Sequence, residues 1–155
     1  MICGIDPGKT GAIVFFDLKS KFFSFHKIPL TNDEVDFKKV YSILKLYDCP
    51  IYLERAIPFA MGSKGAFNYG RDFSKLEIAI LLVKHSVTYV EPAKWAKVIH
   101  EGIMKDMKPK AKSIIALKRL LPKFLDKIPK NRNGKYHDGI VDALLIAYYG
   151  NLKNQ

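Results

Sequence analysis

The sequence predicts an α/β fold: one mixed five-stranded sheet, three antiparallel strands followed by two parallel ones, flanked by helices on both faces. Three observations carry this. The first 28 residues break into short apolar runs separated by tight turns. After residue 50, strand-length runs alternate with stretches of helical period. The chain has 155 residues, 48% of them hydrophobic, with no internal repeat and no linker, so residues 1–155 read as a single domain with a substantial core.

Residues 1–6 (MICGID) form an apolar strand closed by PGKTG, where Gly8 and Gly11 suit a turn. Residues 12–18 form a second strand, and Ser20 and Lys21 turn the chain into a third over residues 22–28, giving a meander. The TND stretch reads as a helix N-cap ahead of residues 35–46, with apolar Val35, Val40, Ile43, Leu44 and Tyr47 at helical spacing. Residues 51–54 (IYLE) are too few to be anything but a strand. A helix over about residues 67–84 and a strand over 87–91 follow. Pro92 then opens another helix, as proline does in a first turn. Residues 109–121 are helical, 126–136 read as a mobile basic loop, and 137–149 form the last helix.

Charge narrows the class of function. The net charge is +11, which calls for a polyanionic partner. Residues 105–135 hold eleven Lys or Arg against two acids, a local excess of +9. A run of one sign suits a phosphate-binding surface better than a merely solvated face. A membrane surface fits less well, because residues 114–121 present a core-facing stripe rather than aromatics opposite the lysines. The longest apolar runs, such as residues 78–83, fall far short of the ~20 residues that span a bilayer. Asp6 and Pro7 interrupt any signal-peptide core. Cys3 and Cys49 lack zinc spacing and suit reduced core positions, so a cytoplasmic location is expected.

Acidic residues inside apolar elements are the chemical signal. Asp6 ends the first strand and Glu54 the fourth; if those strands are parallel neighbours, both carboxylates leave the sheet at one edge. Asp138 and Asp142 are four apart on the last helix and share a face. Four converging carboxylates repel one another unless cations sit between them. Hard oxygen donors in that number suit Mg²⁺ or Mn²⁺, and a pair of such ions about 4 Å apart serves in-line displacement at phosphorus.

GIDPG-TGA, the IYLE strand, FNYGRDFSKLEIAI and HDGIVDALLIA, in that order, resemble the RuvC family of Holliday-junction resolvases, and among them the small RuvC-like enzymes of bacteriophages. The resemblance implies an RNase H-like fold and a metal-dependent endonuclease active in recombination and repair. Such an enzyme binds four-way DNA as a homodimer and nicks two strands symmetrically. It maps Asp6, Glu54 and Asp142 onto the family's acidic ligands, holding two Mg²⁺ or Mn²⁺ ions. The family commonly spaces its last two ligands three apart, but Gly139 stands there. Asp138 is favoured over His137, because five residues swing His137 about 140° from Asp142. Ser74 replaces a glycine that relatives often have. The resemblance also marks Lys97 and Lys112 as lysines near the active site and Phe59 as an aromatic that stacks on bases at the crossover. Lys64 and Arg71, just beyond Glu54, and Lys108 and Lys110 in the basic run join them as DNA-binding candidates. Trp95 reads as core, in a stripe with Val98 and Ile99.

Two other classes fit less well. ATPases of the actin and hexokinase type open with a similar phosphate hairpin, but need a second phosphate loop and a second domain. A non-catalytic binder of branched DNA has no reason to hold four acids against a polyanion. No small-molecule substrate and no membrane is expected. Two equivalent strands to cut call for two active sites, and the helix at 67–84 is the expected dimer interface, through Phe67, Leu76, Ile80 and Val83 with Phe73 and Ile78 beside them.

Overall fold

The computed structural model describes residues 1–55 and 62–154. Strands β1 (Ile2–Asp6), β2 (Ala12–Asp17) and β3 (Phe22–Lys27) form the antiparallel meander. A two-residue-per-strand hairpin, β4 (Leu30–Thr31) and β5 (Glu34–Val35), leads to helix α1 (Phe37–Leu44). Strand β6 (Ile51–Glu54), helix α2 (Ser63–Val83), strand β7 (Val87–Val90) and helices α3 (Pro92–Ile99), α4 (Pro109–Leu120) and α5 (Asp138–Lys153) complete the chain. The sheet order is β3-β2-β1-β6-β7, with β6 and β7 parallel to β1. This is the mixed five-stranded sheet the sequence predicts.

Strand alternation explains the two-sided core. Ile2, Ala12, Val14, Phe16 and Tyr52 point to one face, where α3, α4 and α5 pack. Cys3, Ile5, Ile13, Phe15, Ile51 and Leu53 point to the other, under α1 and α2. Both cysteines are buried free thiols. Helix α5 buries Ile140, Val141, Ala143, Leu144, Leu145, Ile146 and Ala147, a nearly all-round apolar helix lying across the sheet.

Two glycines let α5 come so close. A Cβ at Gly4 would stand 2.2 Å from the carbonyl oxygen of Ala143, and one at Gly139 2.1 Å from that of Thr10. The first lets α5 lie against β1. The second seats the N-terminus of α5 on the turn that follows Asp6.

The chain departs from expectation in three places. The TND stretch is a tight turn, with Asn32 and Asp33 at φ 52° and 61°, conformations these residue types tolerate. The N-cap is Asp36, whose carboxylate accepts from the Lys39 amide. Helix α2 begins at Ser63, four residues before the expected start. Residues 126–136 are not a shapeless loop. A 3₁₀ turn at Pro122–Lys127 is followed by a bridge between Lys130 and Tyr136, and the Asn131 side chain accepts from the amides of Asn133 and Lys135, each at 3.0 Å. Among the described residues no helix is long and apolar enough to cross a membrane.

Candidate active site

Register sets the first two carboxylates. Ile5 pairs with Leu53 in the parallel β1–β6 ladder, so Asp6 and Glu54, each one residue on, end adjacent strands at the same edge. By alternation, Asp6 shares the face of Ile2 and Gly4, and Glu54 that of Tyr52, which is the α5 side of the sheet. Helix α5 brings Asp138 and Asp142 to the same place, one helical turn apart.

The electrostatics report the convergence. Asp6 is pushed from the usual carboxylate range up to about 8, first by burial, then by the negative charges of Asp142, Glu54 and Asp138. Asp142 is pushed up to about 6, again mainly by burial, with Asp138 adding to the rise and a hydrogen bond from Ser113 opposing it. Burial raises Glu54 also, while the Trp95 indole N–H, donating to Glu54 Oε2 at 2.6 Å, pulls the other way. Asp138 lies at the mouth, where Lys110 Nζ donates to Oδ2 at 2.5 Å and is itself held above the ordinary lysine range by that bond.

These are electrostatic neighbours rather than a closed cage. Among the described residues no three His, Cys, Asp or Glu side chains are drawn close enough to ligate one point as they stand. Trp95 engages Glu54, and Lys110 engages Asp138. The donor set nonetheless fits a hard divalent cation. Asp142 Oδ1 is buried with no hydrogen-bond partner, an unsatisfied acceptor within a cluster of acids. All the candidate donors are carboxylate oxygens, which suit Mg²⁺ or Mn²⁺ over softer metals.

No family model and no curated protein matches this sequence. Solved structures do. Thermus thermophilus RuvC in complex with Holliday junction substrate aligns at a TM-score of 0.64 and 15% identity, over 99% of this chain and 93% of that one. The fold is that of the RuvC-like resolvases. A second structure of T. thermophilus RuvC aligns at 0.63 and 18% identity, covering 98% of this chain and 96% of that one. The fowlpox virus Holliday junction resolvase gives 0.59 at 15% identity, with 99% of each chain covered.

The RuvC-like framework sorts the remaining candidates. Lys108 and Lys110, with Lys135 from the turn opposite, line a cavity of about 480 Å³ whose wall includes Asp138 and whose floor is Ala111, Ile114 and Tyr136. Lys112, marked by the resemblance, instead donates to the Lys105 carbonyl at 2.7 Å and braces the segment before α4. Lys97 is exposed on α3 and Lys64 on the first turn of α2. Arg71 is held by two carboxylates, Glu34 at 2.6 Å and Asp72 at 3.3 Å, and ties α2 to the small hairpin. Phe59 lies outside the described residues. His137 is the N-cap residue of α5, makes no side-chain cap bond, and has a buried Nδ1 without a partner. Burial lowers its proton affinity, and it is absent from the charges that act on Asp6 and Asp142, whereas Asp138 acts on both.

The expected dimer stripe on α2 needs correction. Leu76, Ile80 and Phe73 are 0%, 2% and 8% exposed and belong to the core beneath the sheet. The face left open carries Phe67, Ile78, Leu81 and Leu82, at 68%, 48%, 70% and 54% exposure, with Ser74 between them. Sequence reasoning also took Trp95 for a core residue alone and passed over Ser113. Both are buried; Trp95 bonds Glu54, and Ser113 lines a small recess with Asp142. A tryptophan and a serine on apolar helix faces carry no local mark of such a role.

Proposed function

We propose that this chain is a divalent-metal-dependent endonuclease that resolves four-way DNA junctions by paired, symmetric nicks. The observation that carries the reading is the convergence of Asp6, Glu54, Asp138 and Asp142 at one sheet edge, within a fold whose solved neighbours include a RuvC bound to a Holliday junction substrate.

Asp6, Glu54, Asp138 and Asp142 would hold the metal, which when bound supplies charge neutralisation at phosphorus and a water of lowered pKa. The chain's own residues do the rest. Burial and the neighbouring negative charges favour the protonated forms of Asp6 and Asp142, and a bound cation would favour their ionised forms. Lys110 neutralises Asp138 at rest, and an incoming phosphate competes with that carboxylate for the ammonium group. Lys108 and Lys135 flank the same cavity and orient the DNA backbone beside the acids, a positioning role that carries no sequence information. Lys64, Lys97 and Arg71 would extend the DNA-binding surface, Arg71 only by giving up its carboxylate partners.

Two cuts need two sites, and a second copy of the chain is the simplest source. The exposed stripe of Phe67, Ile78, Leu81 and Leu82 supports α2 as that interface. Light scattering should report about twice 17.7 kDa, and Leu81→Asp should give folded monomers that bind junctions weakly and nick one strand at a time. A Leu81→Asp protein that remains dimeric removes α2 from the interface. Ile80→Asp is not a test of association, because Ile80 is core.

The deciding experiment is a nicking assay on a synthetic four-way junction beside linear duplex, with Mg²⁺ or with EDTA. The expected result is symmetric nicking of the junction in Mg²⁺ alone. Equal cutting of linear duplex, or undiminished cutting in EDTA, overturns the proposal.

A further inference from the structure

Behind the acid cluster, three side chains from α3, α4 and the residue that caps α3 touch one another and two of the carboxylates. Trp95 donates its indole N–H to Glu54 Oε2 at 2.6 Å. Its ring makes a T-shaped contact with that of His100, with centroids 5.7 Å apart and planes at 67°. His100 Nε2 lies 3.3 Å from Ser113 Oγ. Ser113, in turn, lines one small recess with Asp142 and opposes the upward push that burial gives that carboxyl. Trp95 and Ser113 are 5% exposed each, so water does not compete for these bonds.

We propose that Trp95, His100 and Ser113 are positioning residues that act as one unit: Trp95 sets the orientation of Glu54, Ser113 that of Asp142, and His100 ties the two together. The inference rests on the metal-binding reading of the cluster and deepens it. Glu54 ends a strand and Asp142 sits on a helix packed beside it, so the backbones bring the two carboxylates together but do not set their side-chain rotation. The bridge through His100 does. It also leaves each carboxylate a second oxygen to offer, and Asp142 Oδ1 remains without a protein partner. Fixing ligand orientation before a cation arrives lowers the ordering cost of binding it, which is why partners of metal ligands matter for affinity.

The tie requires one histidine tautomer. An ionised Asp142 can only accept, so a Ser113 hydroxyl directed at it leaves the serine oxygen to accept from His100 Nε2–H. His100 stays neutral, since burial and the charges of Lys112 and Arg119 disfavour its cation.

The test is Mn²⁺ titration of the full chain without DNA, read by electron paramagnetic resonance, at a temperature where every variant is folded. Trp95→Phe keeps a ring and removes the N–H; Ser113→Ala removes only the hydroxyl. Each should weaken Mn²⁺ binding by about 10–100-fold. The double variant should be weakened by less than the product of the two single effects, because the two residues act as one unit. Nitrogen-15 spectra of the wild-type protein should show His100 as the Nε2–H tautomer, a signature that simple core packing does not demand. Wild-type affinity in both single variants overturns the inference and leaves the proposed nuclease standing. Multiplicative effects, or an Nδ1–H tautomer, remove His100 as the tie. A wild-type protein that binds no Mn²⁺ overturns both readings together.

Discussion

The two faces of the sheet treat carboxylates in opposite ways. On the α2 side, Glu34 meets Lys75 and Arg71, each at 2.6 Å, and Asp36 accepts from Thr31, the Lys39 amide and the Lys39 side chain. Both are held below their ordinary range: Glu34 first by the Lys75 hydrogen bond, Asp36 down to about 2, first by that from Thr31. On the α5 side, Asp6 and Asp142 rise to about 8 and about 6, and Lys110, the ammonium group that acts on both, sits out on Asp138. Paired in this way, Glu34 binds the hairpin to α2 and Asp36 caps α1. Acids collected without their counter-ions destabilise the chain that holds them, and a bound cation is the natural remedy.

The largest effect expected from this contrast is on cleavage. Asp6→Asn, Glu54→Gln or Asp142→Asn should lower junction nicking by at least about 10²-fold, since metal neutralisation contributes several kcal/mol at tenfold per 1.36 kcal/mol. Junction binding should persist or improve, because each change removes a negative charge. Full nicking by Asp142→Asn would remove that residue from the metal site. Asp138→Asn should be nearly as damaging, and a His137→Ala protein that is more impaired reverses the choice between the two.

Next comes stability against pH in the metal-free protein. Asp6 ionises near 3.9 when unfolded and at about 8 when folded, so the unfolded chain binds fewer protons between those values and stability falls as pH rises through them. Asp6→Asn mimics the protonated acid. It should raise Tm at pH 8 and change it little at pH 4, as followed by circular dichroism. Glu34→Gln should do the reverse: a small drop in Tm at pH 7 that vanishes as pH falls below the range where Glu34 ionises. If both substitutions shift Tm in the same direction at pH 8, the contrast between the faces is wrong.

The smallest effect concerns the lysines. Neutralising Lys108, Lys110 and Lys135 should lower the salt dependence of junction binding by up to about 0.9 for each phosphate no longer neutralised, measured by fluorescence anisotropy across salt concentrations. Lys112→Gln alone should change the slope less than Lys108→Gln, because Lys112 is committed to the Lys105 carbonyl. Equal slopes for those two would mean that the cavity beside Asp138 is not where the backbone lies.

Much of this protein is written locally. Continuous apolar runs marked β1, β2 and β6 as strands buried on both faces, and the four-residue spacing of Asp138 and Asp142 put them on one side of α5 whatever that helix packed against. Asp6 and Glu54 were legible because each ends an apolar strand, and strand ends are set by short-range pattern. The tertiary structure decided the rest, since each remaining feature depends on a partner distant in sequence. Which stripe of α2 became core was settled by packing against the sheet, because Leu76, Ile78, Ile80 and Leu81 are equally apolar as letters. Lys110 rather than Lys112 reaches the acids because two residues along α4 turn about 200°, and it is the face of Lys110 that α4 sets beside the start of α5. The indole N–H of Trp95 finds Glu54 across 41 residues of chain only once α3 has folded against the end of β6.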